Sequence, residues 1–282
     1  MNKTFVLLIT VFIHFTISAA SVDTVAVYSN AMQKSFKCVV IKPSAYKKKT
    51  TRFPVVYLLH GYSGWYSNWI LQVPALKEYA DTYRMIIVCP DGGYSSWYFD
   101  SPLDSSLRFE TYVGTEVPAF IDLHYRTIPN RNGRAITGLS MGGHGGMFLG
   151  MRHAAIFGAC GSMSGGLDLN YSRSKFDIIK RIGDTISHAA NWKKYIVMNV
   201  LDDYITDLRN KKTDSLQLIF DCGLDDFYIE PNQKFHQKLV QYQYPHDYTE
   251  RPGSHNWDYW RNAIVYQLLF FSNYFKKGAT NN

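Results

Sequence analysis

The pentapeptide Gly138-Leu139-Ser140-Met141-Gly142 constrains this chain more than any other stretch of its sequence. A short apolar run at residues 134–137 precedes it, and a glycine-rich segment continues from it to Met151. This order predicts a buried strand, a sharp turn and a helix, with the Ser140 hydroxyl held clear of the backbone. Glycines are poor helix formers, so their density here favours close packing of the helix on a sheet. The alternative is a glycine-rich loop without a catalytic role.

Segments with the patterns of strands and helices alternate along the rest of the chain. The predicted strands are 35–42, 54–60, 84–90, 134–137, 157–163, 216–222 and 246–251. The predicted helices are 75–83, 110–125, 141–151, 230–241 and 257–275. The alternation predicts an α/β fold with a mostly parallel central sheet, helices on both faces, and ligands at the carboxyl ends of the strands.

One domain is expected over residues 21–282, because no linker or internal repeat divides the chain. Residues 167–214 break the alternation, since they are polar and lack strong strand signals apart from a helical pattern over 192–200. This segment, called the excursion below, is interpreted as crossing the sheet edge or the active site. A surface insertion without a role in binding is the alternative.

Residues 1–20 have the pattern of a secretory signal peptide. Lys3 precedes an apolar run over 5–17, and Ser18 and Ala20 suit cleavage after Ala20. An N-terminal membrane anchor is the alternative, but the run is short and His14 interrupts it. We therefore expect a secreted or periplasmic protein that is not stably inserted in a membrane after cleavage.

The composition argues against a nucleic-acid-binding protein and favours one with an aromatic substrate cleft. The chain carries 30 Lys and Arg residues against 23 Asp and Glu, and the excess is scattered, so no nucleic-acid partner is expected. Aromatic residues make up 16% of the chain, and several lie in polar, glycine-rich loops, which fits a lined substrate cleft. The four cysteines lie in apolar strand-like runs without the spacing of a zinc site, so we expect no essential disulfide.

A serine nucleophile needs a base within hydrogen-bond reach and an acid that orients the base. In this type of fold the acid and then the base follow the serine along the chain, each on a loop after a strand. His255 lies on such a loop, whereas His236 falls within a helix and His246 starts a strand, so we predict His255 as the base. The acid is Asp225 or Asp226, and sequence physics does not choose between these neighbours.

The oxyanion that forms during attack needs two backbone N–H donors. One is expected from Met141, directly after the nucleophile. The second is expected from Tyr62, in a loop where Gly61 lets the backbone turn inward. His60 either holds this loop by hydrogen bonding or is a half-buried histidine at the end of a strand.

Four motifs resemble one known family. They are Leu58-Leu59-His60-Gly61, Gly138 to Gly143, Cys222-Gly223-x-x-Asp226 and Gly253-x-His255-x-Trp257. Together, over about residues 35–275, they resemble the "Putative esterase" family of α/β-hydrolases. That family includes S-formylglutathione hydrolases, tributyrin-type esterases, feruloyl esterase modules and the antigen 85 mycolyltransferases. The resemblance implies the α/β-hydrolase fold and a serine ester hydrolase with no cofactor and no metal, and it assigns the acid to Asp226.

The resemblance also implies that the loop of Trp97 and Tyr98 borders the substrate pocket. We therefore predict His60, Trp97, Tyr98 and Trp257 as substrate-binding residues. A role in packing the core is the alternative for Trp97.

The predicted function is that of an exported serine carboxylesterase for small-acyl or aryl esters, with feruloylated or acetylated plant polysaccharide fragments among the candidate substrates. The expected partner is a small-molecule or oligosaccharide ester, and the oligomeric state stays open. An acyltransferase of the antigen 85 type, an S-formylglutathione hydrolase-like esterase and a non-catalytic carbohydrate-binding protein are the alternatives. The signal peptide and the His-Gly-Tyr loop weigh against the formylglutathione alternative, because that substrate is cytosolic.

Overall fold

The computed structural model describes residues 19–280, so nearly all of the predicted signal peptide lies outside the described residues. The described chain forms one eight-stranded sheet in the order β1-β2-β4-β3-β5-β6-β7-β8. Its strands are β1 (Ser21–Ser29), β2 (Lys34–Lys42), β3 (Val55–Leu59), β4 (Ile86–Pro90), β5 (Arg134–Gly138), β6 (Ala159–Met163), β7 (Gln217–Gly223) and β8 (His246–Arg251). Strand β2 is antiparallel to both of its neighbours, and the pairings from β4 through to β8 are parallel. The predicted mostly parallel sheet is confirmed.

Helices cover both faces of this sheet, as predicted. They are α1 (Asn68–Gln72), α2 (Leu76–Tyr83), α3 (Phe109–Thr111), α4 (Val117–His124), α5 (Met141–Arg152), α6 (Ile178–Ile182), α7 (Ala189–Tyr195), α8 (Val197–Arg209), α9 (Ile229–Gln241) and α10 (Trp257–Thr280). The apolar residues of α4, α5, α8 and α9 pack on one face, and those of α1, α2 and α10 pack on the other. Within the described residues, no helix has both the length and the apolar composition needed to span a membrane.

Strand β3 shows why the central strands are continuous apolar runs. Val55, Tyr57 and Leu59 point into the layer below α5, whereas Val56 and Leu58 point toward α2 and α10. All five side chains are fully buried. A strand with helices on both faces has no side that water can reach, so both of its faces are apolar.

The glycines of α5 bring this helix unusually close to the sheet. A Cβ atom added to Gly142 would lie 2.5 Å from the main-chain oxygen of Leu59, and one added to Gly146 would lie 2.3 Å from that of Gly161. No heavier residue fits at either position without moving the backbone. This close approach explains why poor helix formers occupy the helix that follows the turn.

The structure differs from the prediction in three places. Strand β1 was not predicted, although it pairs with β2 along its whole length. A π-helical turn over Tyr112–Glu116 joins α3 to α4 within the predicted helix 110–125, and Pro118 lies in the first turn of α4, where its missing N–H costs little. The excursion contains three helices, α6, α7 and α8, and the last of these packs on α5.

The four cysteines are free and buried, one in each of β2, β4, β6 and β7. Burial raises the pKa of the Cys89 and Cys160 thiols well above the ordinary range. These side chains therefore remain neutral and act as small apolar groups in the core.

Candidate active site

Ser140 occupies the sharp turn between β5 and α5 that the pentapeptide predicts. Its backbone has φ 55° and ψ −116°, a strained conformation for a residue with a side chain. The main-chain N–H of Ser140 donates to the Met163 oxygen at 2.9 Å, which ties the turn to β6. The turn leaves the Ser140 side chain partly exposed at the carboxyl end of the sheet, where its hydroxyl can meet a substrate.

The three predicted catalytic side chains are brought together by this geometry. The Ser140 Oγ lies 2.8 Å from His255 Nε2, and His255 Nδ1 lies 2.9 Å from Asp226 Oδ2 and 3.0 Å from Asp226 Oδ1. The imidazole therefore donates its Nδ1 hydrogen to the carboxylate and leaves Nε2 free to accept the serine proton. This arrangement can generate an alkoxide nucleophile without a metal.

The structure shows which of the two adjacent aspartates is the catalytic acid. The Asp226 side chain is buried, with 2% of its surface exposed, and its Oδ1 also accepts the Tyr228 N–H at 2.8 Å. Asp225 is exposed and its backbone N–H donates to the Gly253 oxygen at 3.0 Å. That bond joins the loop after β7 to the loop after β8, and so sets the distance between Asp226 and His255.

Aromatic rings hold the His255 imidazole in place. Trp260 meets it edge to face with ring centroids 5.0 Å apart, and Phe227 packs against it at 4.3 Å. This packing keeps the imidazole aligned with the Ser140 hydroxyl, so the ring needs little reorientation when it accepts the proton.

The backbone donors predicted for the oxyanion lie beside the serine. Met141 opens α5, where an N–H group has no acceptor within its own helix. Tyr62 follows Gly61, and a Cβ atom added to Gly61 would lie 2.6 Å from Leu139 Cδ1. The Gly61 loop therefore presses directly against the turn that carries Ser140.

His60 is buried and does not line the cleft above Ser140, which corrects its prediction as a binding residue. Its side chain is buried, its Nε2 accepts the Gly92 N–H at 2.7 Å, and its Nδ1 hydrogen points to the Gly61 oxygen at 2.8 Å. Burial lowers the pKa of His60, so the ring is neutral and bridges two loops. His60 holds the Tyr62 loop by hydrogen bonding, which is the first of the two roles considered for it.

Trp97 and Tyr98 are likewise buried, with no exposed surface, so they cannot line the cleft as predicted. Their backbones are left-handed, at φ 53° and 60°, and this turn directs both rings into the core. The Tyr98 hydroxyl donates to the His60 oxygen at 2.9 Å. Trp97 therefore packs in the core, which is the alternative role considered for it in the sequence analysis.

The cleft above Ser140 has a volume of about 350 Å³ and is mostly aromatic. Its rings belong to Tyr62, Trp65, Phe176, Phe227, Trp257 and Trp260. Trp257 was predicted to lie here, whereas Phe176 and Phe227 were missed. Phe227 directly follows the catalytic acid, and its side chain is 53% exposed. The sequence does not show that this side chain is exposed, so it could not be predicted to line the cleft.

The excursion reaches the cleft. Phe176 contacts the Tyr62 ring edge to face at 5.3 Å, and Trp97 Nε1 donates to the Phe176 oxygen at 3.0 Å. The Tyr62 hydroxyl also donates to Asp177 Oδ2 at 3.4 Å. The excursion therefore forms one wall of the candidate active site.

Within residues 19–280, no group of three or more His, Cys, Asp and Glu side chains is arranged to hold a metal ion.

Comparisons with known proteins show which family the chain belongs to. The model of the "Putative esterase" family matches residues 29–271. An acetyl esterase of Caldicellulosiruptor saccharolyticus is 25% identical over 255 residues, which cover 84% of this chain and 93% of that protein. A solved structure of a ferulic acid esterase superposes with a TM-score of 0.76 and 29% identity, and covers 91% of this chain and 98% of its own.

The mycobacterial relatives are longer than the region over which they match this chain. The diacylglycerol acyltransferase/mycolyltransferase Ag85B of Mycobacterium avium is 30% identical over 147 residues, which cover 49% of this chain and 44% of that protein. The family match, by contrast, spans nearly the whole described chain. The chain therefore belongs to the "Putative esterase" family of α/β-hydrolases and is a serine ester hydrolase.

Proposed function

We propose that the protein is an exported carboxylesterase that hydrolyses small-acyl or aryl esters through an acyl-enzyme, with acetylated or feruloylated plant polysaccharide fragments as natural substrates. The observation that carries the proposal is the continuous hydrogen-bonded chain from Ser140 Oγ through His255 to the buried Asp226.

In the proposed mechanism Ser140 attacks the ester carbonyl while His255 Nε2 takes the hydroxyl proton. Asp226 keeps the imidazole in the required tautomer and stabilises the imidazolium. The N–H groups of Met141 and Tyr62 bind the oxyanion. His255 then protonates the leaving alcohol, and water releases the acid from Ser140 by the same steps.

The substrate class is supported by the cleft and by the relatives. Six aromatic side chains around about 350 Å³ suit a planar acyl group or the apolar face of a sugar. Two relatives reported above carry the names acetyl esterase and ferulic acid esterase. Export is supported by the signal-peptide pattern over residues 1–20, and a secreted enzyme can reach an extracellular polysaccharide.

The proposed activity is tested by hydrolysis of p-nitrophenyl acetate, p-nitrophenyl butyrate and a feruloyl ester by the mature protein and its Ser140→Ala variant. We expect the variant to lose activity by about 10⁴-fold or more. Equal activity in both proteins would remove Ser140 from the mechanism. Acetylated and feruloylated oligosaccharides, assayed against the free esters, then test the natural substrate.

Acyl transfer is a second candidate function, because the chain is 30% identical to an acyltransferase over 147 residues. A transferase would pass the acyl group from Ser140 to a sugar hydroxyl instead of to water. Adding trehalose or xylo-oligosaccharide acceptors to the p-nitrophenyl ester assay separates the two, since only a transferase forms the acylated sugar in preference to the free acid.

A further inference from the structure

A second cleft of about 360 Å³, called the lateral cleft here, lies beside the catalytic cleft. The Tyr62 ring lines the catalytic cleft and the Tyr94 ring lines the lateral cleft, and the two rings meet edge to face with centroids 5.0 Å apart. Tyr94 is 61% exposed. The two clefts therefore adjoin at the contact between these two tyrosine rings.

The lateral cleft combines an apolar floor with cationic side chains. The floor is formed by Met32, Phe36, Leu107 and Phe109, and the rings of Phe36 and Phe109 pack edge to face at 5.3 Å. Lys34 and Arg181 supply the positive charge, and among the described residues no Asp or Glu side chain lines the cleft. An apolar floor accepts the carbon face of a ring, and the cations select a negative substituent on it.

Neither cation is neutralised by an ion pair with a described carboxylate. The Lys34 ammonium lies 5.4 Å from the centre of the Phe36 ring. Arg181 donates from its guanidinium to the Ser95 oxygen at 3.0 Å and to the Ser95 hydroxyl at 2.6 Å. These bonds hold the guanidinium in place without an ion pair, so Lys34 and Arg181 both line the cleft as cations.

Two carboxylates, Asp104 and Asp177, lie near Arg181. Hydrogen bonds with Ser106 and Lys180, respectively, are the main cause of their lowered pKa, and the charge of Arg181 adds to both shifts. Asp104 accepts from the Ser106 hydroxyl at 2.6 Å, and Asp177 pairs with Lys180 at 2.8 Å. Neither carboxylate lines the lateral cleft.

The short helix α6 borders both clefts. Asp177, at its start, accepts from the Tyr62 hydroxyl beside the catalytic cleft, and Arg181, in its last turn, lines the lateral cleft. This helix thus fixes the position of Arg181 relative to the loop that carries the Tyr62 amide. Such an arrangement suits a single ligand that occupies both clefts.

We propose that the lateral cleft is a subsite for a carboxylate-bearing sugar residue of the ester substrate. The sugar ring lies on the apolar floor, its carboxylate meets Lys34 and Arg181, and the acyl group of a neighbouring sugar enters the catalytic cleft across Tyr94. The inference rests on the proposed action on polysaccharide esters and adds that the preferred chain is acidic.

Binding without turnover provides the first test. In the Ser140→Ala background, calorimetry compares a xylo-oligosaccharide that bears a glucuronic acid branch with the neutral oligosaccharide of the same length. We expect the acidic ligand to bind about fivefold more tightly, an advantage that Lys34→Glu removes and that added salt reduces. Equal Kd values for the two ligands would overturn the proposal.

Lys77→Glu is the matched control, because Lys77 is an exposed lysine on α2 outside both clefts. It changes the net charge by the same amount and should preserve the preference for the acidic ligand. If Lys77→Glu weakened binding as much as Lys34→Glu, the effect would come from overall charge, and the subsite would be rejected. Arg181 is left intact since it also holds Ser95.

Kinetics with Ser140 present provide the second test. Lys34→Glu should raise KM about fivefold for the acidic acetylated oligosaccharide and leave p-nitrophenyl acetate and the neutral acetylated oligosaccharide unchanged. A change in p-nitrophenyl acetate hydrolysis caused by free glucuronate would indicate a separate effector site and overturn the subsite. If the wild type hydrolysed no ester, the proposed function would fail, and the binding test would still decide the subsite.

Discussion

The indole N–H of Trp97 donates to the main-chain oxygen of Phe176 at 3.0 Å, and both residues hold left-handed backbones, at φ 53° and 55°. This bond joins the loop after β4 to the excursion at the point where Phe176 enters the catalytic cleft. A buried side chain that does not line the cleft thus sets the position of a ring that does.

We expect Trp97→Phe to lower the free energy of unfolding by about 1–3 kcal/mol, because the Phe176 oxygen loses its donor. It should also raise KM for an aryl ester several-fold with a smaller change in kcat. Trp192→Phe is the control, since Trp192 Nε1 donates to the Gly183 oxygen at 2.9 Å and does not line the cleft. A KM effect of equal size in both variants would contradict the positional role.

The two adjacent aspartates allow a matched comparison of the acid. Asp226→Asn should lower kcat by about 10⁴-fold, because an amide cannot hold the imidazole in the required tautomer. Asp225→Asn should leave kcat within a few-fold of the wild type, since that side chain is exposed and only its backbone is bonded. Steady-state kinetics on p-nitrophenyl acetate measure both, and the reverse order of effects would transfer the role to Asp225.

Stability should fall in mild acid because of a buried histidine. His144 has no exposed surface, packs among Trp97, Phe99 and Phe148, and burial lowers its pKa to about 4. The unfolded chain takes up this proton near pH 6.5 whereas the folded chain does not, so stability present above pH 6.5 is lost as the pH falls toward 4.

The loss attributable to His144 between pH 7 and pH 5 is about 2 kcal/mol. Urea unfolding at the two pH values, for the wild type and for His144→Phe, isolates this amount, because all other titrating groups are shared. The variant should lose about 2 kcal/mol less than the wild type over that interval. An equal loss in both proteins would show that His144 does not titrate as described.

Two helical glycines should respond to alanine with opposite signs. Gly142→Ala places a methyl group 2.5 Å from the Leu59 oxygen and should destabilise the fold severely or prevent soluble expression. Gly278→Ala, in α10, meets nothing closer than 3.5 Å and should stabilise by up to about 1 kcal/mol. Thermal unfolding measures both, and a loss of stability in Gly278→Ala would contradict the view that α10 has room there.

Local patterns predicted seven of the eight strands and the order of the three catalytic side chains, because strand-exit loops and buried strands leave strong signals in the sequence. They did not separate Asp225 from Asp226 by physics, since burial of one neighbour depends on the packing of Tyr228 and the loop after β8. The family resemblance placed Trp97 and Tyr98 at the pocket, and the sequence does not reveal the left-handed backbone that turns both rings into the core. Phe176 was missed because it reaches the cleft from a segment without periodic pattern.

The glycines of α5 also limit how this scaffold can diversify. A side chain larger than hydrogen at Gly142 or Gly146 would collide with backbone atoms, so the helix behind the nucleophile has almost no room for viable substitution. The excursion supplies Phe176 to one cleft and Arg181 to the other, and neither side chain lies behind the nucleophile. We therefore expect substrate preference to change through such cleft-lining side chains of residues 167–214 and not through the helix behind Ser140.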